Sequence, residues 1–240
     1  MSSASNRRPI AENPEIVEMA VRACEIARQA AAVAAKAVSK PSSELLGGIK
    51  DREEELDALD RNINESVTNA ICQAPPENAR ELLACLKLII ELERIGDLLL
   101  SFANRLRNCA ERLNGQDKKD LSNMASILER MLTDAGQAFS KRETELAVAV
   151  LRADTELDRV RNLIFVRHIE NRECVQQQES FHVVFMAQSL ERAGDHAKNV
   201  AEEIVHLVTG RSVRHLLRSN DKPIENMFVD YMRKKEARRR

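Results

Sequence analysis

The stretch 92–97 reads LERIGD, and the stretch 190–195 reads LERAGD. The two match at five of six positions, and their final aspartates lie 98 residues apart. Both lie within long stretches of helical apolar periodicity. A glycine inside a helix costs up to about 1 kcal/mol relative to alanine. Its recurrence in the same frame therefore predicts an internal duplication, with close helix–helix approach at Gly96 and Gly194.

The composition favours long helices in a globular chain. Of the 240 residues, 43% are apolar and 31% are charged, which is the ratio of a folded protein rather than a disordered one. Only 7 glycines and 6 prolines interrupt the pattern. The net charge of −1 supplies no overall field that would attract nucleic acid.

The cysteines and the apolar segments indicate the cellular compartment of the protein. Five cysteines, an odd number without C-x-x-C spacing, predict neither a disulfide framework nor a zinc ribbon. No stretch approaches eighteen uncharged apolar residues, and no apolar leader follows the N-terminus, so we expect neither a membrane span nor secretion. Reduced thiols and a cytoplasmic location are expected.

The apolar periodicity predicts six helices whose breaks coincide with turn and capping residues. The predicted helices are Glu15–Val38, Ser43–Cys72, Glu77–Leu113, Asp117–Phe139, Lys141–Asn171 and Cys174–Leu207. Pro75-Pro76 precedes the third helix, Asn114-Gly115-Gln116 separates the third from the fourth, and Thr209-Gly210 ends the sixth.

The last three helices repeat the first three. Glu55-Leu56-Asp57 aligns with Glu156-Leu157-Asp158 at an offset of 101, whereas the glycine motifs align at 98. We therefore predict an all-α fold, a tandem pseudo-symmetric pair of three-helix bundles. The predicted repeats span 12–115 and 116–212, followed by a basic, flexible tail over 213–240.

Acidic residues in the second repeat suggest a metal site. Glu191 and Asp195 are one helical turn apart, and Asn199 and Glu202 lie about 80° and 20° around the wheel from Glu191. Asp154 and Asp158 form a matching pair on the fifth helix. Such clustered like charges are destabilising unless a cation neutralises them.

The first repeat carries the same pattern with fewer candidate ligands. Glu93, Asp97, Glu53 and Asp57 are retained, but Ser101 and Asn104 stand where the second repeat has Asn199 and Glu202. Oxygen ligands favour hard cations such as Mg, Mn, Ca or iron. We predict two non-equivalent sites, the second richer in ligands. The alternative is that each acidic pair lies on a solvated helix face.

Signals for catalysis are weaker. Glu179-x-x-His182 and Glu203-x-x-His206 match the motif of di-iron carboxylate bundles, but they lie roughly 36 Å apart along one helix and cannot share a centre. No phosphate-binding loop, dinucleotide fingerprint, serine elbow or nucleophile–base pattern is present. We expect no enzymatic activity. A di-metal carboxylate enzyme is the alternative.

The long second motif, from Leu190 through Gly210, resembles the signature of the PhoU family of phosphate-uptake regulators, and Pro76 through Asp97 resembles that family's first-repeat signature. The resemblance covers about residues 12–212. It implies two three-helix bundles related by pseudo-symmetry, often assembled as a homodimer. It also implies E/D-x-x-x-D motifs that bind iron or other metal clusters in some members. The motif carries over to Glu191, Asp195, Asn199, Asp154, Asp158, Glu93, Asp97, Glu53 and Asp57.

From this resemblance we expect a regulator of inorganic phosphate uptake that also represses the phosphate regulon. The implied partners are the ATP-binding subunit of a phosphate ABC transporter and a phosphate-sensing histidine kinase, with no nucleic acid involved. Divalent or trivalent metal ions (iron, Mn, Mg or Zn) are the implied cofactors, and they would fix the geometry between helices. A partner role beside a sodium–phosphate cotransporter is a further alternative.

Overall fold

The computed structural model describes residues 13–170 and 177–210, and within these ranges every regular element is helical. The helices are α1 (Pro14–Ser39), α2 (Ser43–Ile71), α3 (Pro76–Cys109), α4 (Gly115–Lys141), α5 (Thr144–Glu170) and α6 (Gln177–Thr209). The predicted all-α class and tandem three-helix arrangement are confirmed. The predicted tail over 213–240, residue 12, residues 211–212 and Cys174 lie outside the described residues.

Local sequence explains several of the helix ends. The Ser42 hydroxyl accepts a hydrogen bond from the Leu45 N–H and begins α2. Pro76 occupies the first turn of α3, where its missing N–H costs nothing. Gly210 follows α6 with φ 71°, the left-handed conformation that ends many helices and that glycine adopts without strain.

Several predicted boundaries are wrong by two to four residues, most clearly at the end of the third helix and at the junction of the fourth and fifth. The third helix ends at Cys109 rather than Leu113, because residues 110–112 tighten into a 3₁₀ turn. The fourth continues to Lys141, and the break falls at Arg142, which adopts the left-handed conformation and directs its N–H to the Ala138 carbonyl. An arginine in that conformation carries no glycine or proline signal, so the predicted break fell at Ser140 instead.

The two repeats meet along their apolar faces. Contacts between α1 and α4 and between α3 and α6 join the repeats, while α2 and α5 pack on the outside of their own repeats. The buried face of α1 is rich in alanine, including Ala23, Ala27, Ala30 and Ala34, whose small side chains allow close packing. Among the described residues, no helix is both long and apolar enough to cross a membrane.

Candidate functional site: the acidic motifs of the two repeats

The two motif glycines bring each acidic helix pair close together. A β-carbon added at Gly96 would lie 2.9 Å from Leu56 Cδ1, and one added at Gly194 would overlap Leu157 Cδ2. Leu56 and Leu157 are equivalent residues of α2 and α5. The predicted close approach is thus confirmed in both repeats, and it places the carboxylates of α2 beside those of α3, and the carboxylates of α5 beside those of α6.

In the first repeat the acidic side chains are close enough to interact electrostatically. Burial and the neighbouring Asp57 and Asp97 carboxylates raise the pKa of Glu53 above its ordinary value. Burial, then Asp97, Asp57 and Asp60, raise the pKa of Glu93 in the same way. These shifts mean that like charges and lost hydration disfavour the ionised forms. The structure therefore brings the four predicted residues of α2 and α3 into one electrostatic cluster.

In the second repeat the acidic side chains are paired with basic ones. Glu191 accepts hydrogen bonds from Arg161 Nη2 at 2.9 Å and from Gln188 Nε2 at 2.7 Å. Asp154, only 5% exposed, accepts one from Lys198 Nζ at 2.5 Å. Although burial opposes the charged ammonium, its hydrogen bond and attraction to Asp154 raise the pKa of Lys198. Both pairs connect α5 to α6.

The remaining acids of this repeat contribute through their charge. Burial raises the pKa of Glu191, and the negative charges of Asp195 and Asp158 add to the shift, against the opposing effect of Arg161. Asp195 is exposed and Asp158 half-buried. The second repeat therefore joins four carboxylates and two cations in one network, rather than carboxylates alone.

Asn199 of the predicted stripe contacts the first repeat. Asn199 Nδ2 donates to Glu91 Oε2 of α3 at 3.1 Å, and His196 Nδ1 lies 2.6 Å from the same oxygen. Asn199 therefore turns toward the other repeat. Glu202 is buried on α6, 8% exposed. Within the described ranges, no group of three or more His, Cys, Asp or Glu side chains is arranged to hold a metal ion. The metal assignment stays a prediction.

Sequence reasoning missed the two cations. A signal was available, because the repeat offsets align Arg161 with Asp60 and Lys198 with Leu100. Comparison of the acidic positions alone does not reveal that the surroundings of those positions differ in charge between the repeats.

A hydrogen-bonded trio that the sequence did not predict lies away from the motifs. His168 Nδ1 lies 3.1 Å from Ser180 Oγ, and its Nε2 lies 3.0 Å from Asp117 Oδ1. The order hydroxyl, imidazole, carboxylate resembles a hydrolytic triad. However, the side chains of His168 and Asp117 are only 7% and 3% exposed, and Asp117 also binds Asn114 and Arg167. The trio connects the start of α4, the end of α5 and the start of α6. Its role is therefore structural.

Comparison with known proteins agrees with this architecture. The PhoU domain family model matches the chain twice, at residues 20–106 and 121–204. The phosphate-specific transport system accessory protein PhoU homolog of Pseudomonas aeruginosa is 28% identical over 191 residues, covering 76% of this chain and 78% of the relative. A PhoU homolog of Thermotoga maritima is 28% identical over 177 residues, covering 71% and 75%.

Solved structures share the fold. The crystal structure of PhoU from Pseudomonas aeruginosa aligns with a TM-score of 0.76 at 24% identity, covering 84% of this chain and 99% of that one. The phosphate transport system regulatory protein PhoU from Streptococcus pneumoniae aligns with a TM-score of 0.72 at 19% identity, covering 84% and 97%. With two matches of the family model covering more than half of its length, the chain belongs to the PhoU family.

Proposed function

We propose that this chain is an accessory regulator of a phosphate-specific transport system and acts as an adaptor rather than an enzyme. The observation that carries the proposal is the duplicated PhoU domain, together with relatives that are named accessory proteins of that system and align over about three quarters of the chain. The proposed partners are the ATP-binding subunit of the transporter and a phosphate-sensing histidine kinase. Their activity would be repressed when phosphate is plentiful.

The start of α6 supports an adaptor role. Among the described residues, Phe181 and Phe185 lie one helical turn apart there, with exposed fractions of 62% and 47%. Neighbouring large apolar side chains at the surface are typical of sites that bind other proteins. Arg105 lies over the Phe185 ring, 4.6 Å from its centroid, and so holds a cation beside this apolar surface. We assign this face to the transporter's ATP-binding subunit.

The test is a binding titration between the purified chain and the ATP-binding subunit of the phosphate transporter, comparing the wild type with Phe181→Asp. Phe181 is 62% exposed, so the substitution should weaken binding without lowering the melting temperature. Leu163→Asp on α5, where the side chain is 53% exposed, is the matched control and should bind as the wild type does.

A cellular assay tests the regulatory half of the proposal. In cells that lack the gene, phosphate uptake and phosphate-regulon expression should be insensitive to high phosphate, and the wild-type chain should restore the response. If the wild-type chain binds no ATP-binding subunit yet restores the response, the adaptor role on the transporter is wrong. If it restores nothing, the assignment to phosphate regulation is wrong.

A further inference from the structure

The two acidic motifs occupy equivalent places but differ in the charges around them. The first repeat has Glu53, Asp57, Glu93 and Asp97 where the second has Asp154, Asp158, Glu191 and Asp195. All four positions are therefore acidic in both repeats. The same offsets replace Asp60 by Arg161 and Leu100 by Lys198.

These two replacements change the charge of the site. Over the six equivalent positions, the first repeat holds five carboxylates and a leucine, a formal charge of −5. The second repeat holds four carboxylates, one guanidinium and one ammonium, a formal charge of −2. Half of the negative charge of the second motif is therefore already neutralised by its own chain.

Both cations bind the motif carboxylates directly. Lys198 Nζ lies 2.5 Å from Asp154 Oδ2, and Arg161 Nη2 lies 2.9 Å from Glu191 Oε1. The side chains of Asp154 and Glu191 are 7% and 11% exposed, so their oxygens have little access to other ligands. Gln188 already donates to the second oxygen of Glu191.

A metal ion does not fit this arrangement. Hard divalent cations take carboxylate oxygens at about 2.0–2.6 Å, and two of the oxygens on offer are occupied by Lys198 and Arg161. A metal would have to displace both side chains or lie beside two positive charges in a partly buried site, where repulsion is poorly screened. The PhoU resemblance implies a metal motif here, and the residues present disagree with it.

We propose that Lys198 and Arg161 are built-in counterions that take the place of a metal ion in the second repeat. The carboxylates of α5 and α6 are held together by the chain's own ammonium and guanidinium groups. The second repeat therefore keeps its structure without any metal, and it excludes divalent cations as long as both side chains are present. This reverses the prediction that the second site is the better metal site.

The experiment weakens the first repeat as a competing site by replacing two of its five carboxylates, with Asp57→Asn and Asp97→Asn. Mn²⁺ is the probe, and electron paramagnetic resonance of the free ion measures binding. This double variant, with Lys198 and Arg161 intact, should bind no Mn²⁺, and EDTA should leave its melting temperature unchanged. Adding Lys198→Met and Arg161→Met should create Mn²⁺ binding that the double variant lacks, because two positive charges beside the carboxylates are removed.

A control of equal charge separates local from global effects. Lys40→Met and Lys119→Met remove two exposed lysines from the same double variant, and this protein should still bind no Mn²⁺. Binding by the double variant itself, or a fall in its melting temperature with EDTA, would overturn the proposal. So would a folded Lys198→Met/Arg161→Met protein that gains no Mn²⁺. If that protein does not fold, the Mn²⁺ titration of the Asp57→Asn/Asp97→Asn protein alone tests the proposal.

Discussion

Leu157 of α5 fills the space that a β-carbon on Gly194 of α6 would need. Leu157 is fully buried, so its side chain cannot swing into solvent to make room. The same relationship joins Leu56 to Gly96 in the first repeat. The glycines are therefore a packing requirement of the α5–α6 and α2–α3 pairs, and the acidic motifs depend on the helix separation that they set.

Gly194→Ala should lower the free energy of unfolding by about 1 kcal/mol. The substitution gains up to about 1 kcal/mol of helix propensity, but forcing a methyl group into a packed core costs roughly 1–3 kcal/mol. Gly96→Ala should cost less, because the added carbon would lie 2.9 Å from the end of a leucine side chain. Chemical denaturation of the purified variants measures both effects.

Gly47→Ala is the matched control for these substitutions. Gly47 lies within α2, and an added β-carbon would meet nothing within 4 Å. This variant should be more stable than the wild type by roughly 0.5–1 kcal/mol, because only the helix-propensity gain remains. An equal gain for Gly194→Ala would show that the α5–α6 contact is not tight.

Helical periodicity specifies some features of the structure and not others, which explains why some predictions from the sequence were correct and others were not. It gives the face of a helix on which a residue lies, so the repeats and the close approach at both glycines were predictable. The end of α6 at Gly210 was predictable from its turn residue. Periodicity does not say which of two neighbouring helices a side chain turns toward. Asn199 lies about 80° from Glu191 on the wheel, and it donates to Glu91 of α3.

The basic partners were missed for a related reason. Lysine and arginine side chains are long enough to reach a carboxylate on an adjacent helix, so their sequence positions do not identify their partners. Lys198 reaches Asp154 and Arg161 reaches Glu191 only because α5 and α6 are close together. Knowledge of the helix separation, which is set by tertiary packing, was needed to identify the carboxylates that they bind.

Asp117→Asn should destabilise the protein at neutral pH by about 1–3 kcal/mol. Although burial opposes the ionised carboxylate, the hydrogen bond and charge of His168, followed by the charge of Arg167, hold the pKa of Asp117 below its ordinary value of 3.8. A lowered pKa contributes stability that is fully present above the ordinary value and is lost as pH falls through the folded value. The stability difference between the wild type and the variant should therefore shrink below about pH 4.

Urea denaturation between pH 7 and pH 3 measures this difference. Asp120→Asn is the control, because Asp120 also pairs with Arg167, at 2.8 Å, but its side chain is more exposed than that of Asp117. It should change the free energy of unfolding by less than about 1 kcal/mol at neutral pH. A difference for Asp117→Asn that stayed constant down to pH 3 would contradict the lowered pKa.

Glu91→Gln should weaken the contact between the repeats and lower the free energy of unfolding by about 1–2 kcal/mol. One oxygen of Glu91 on α3 is shared by His196 and Asn199 on α6, and the glutamine would lose the charge that strengthens both interactions. Glu143→Gln, at an exposed position, should change stability by no more than about 0.5 kcal/mol. Asn199→Ala, introduced into the wild type and into Glu91→Gln, completes a double-mutant cycle. Strictly additive effects on the free energy of unfolding would show that the shared oxygen does not couple the two helices.

Cysteine labelling should reveal the packing of the cores directly. Cys72 is exposed, whereas Cys24, Cys85 and Cys109 are buried, and burial raises the pKa of Cys24 and Cys85 to about 12. Because the thiolate is the reactive form, thiols with such pKa values react very slowly at pH 8. In the Cys174→Ser protein, iodoacetamide should therefore modify Cys72 alone in the native state and all four thiols after unfolding. Mass spectrometry identifies the labelled peptides, and native labelling of Cys24 or Cys85 as fast as that of Cys72 would contradict their burial.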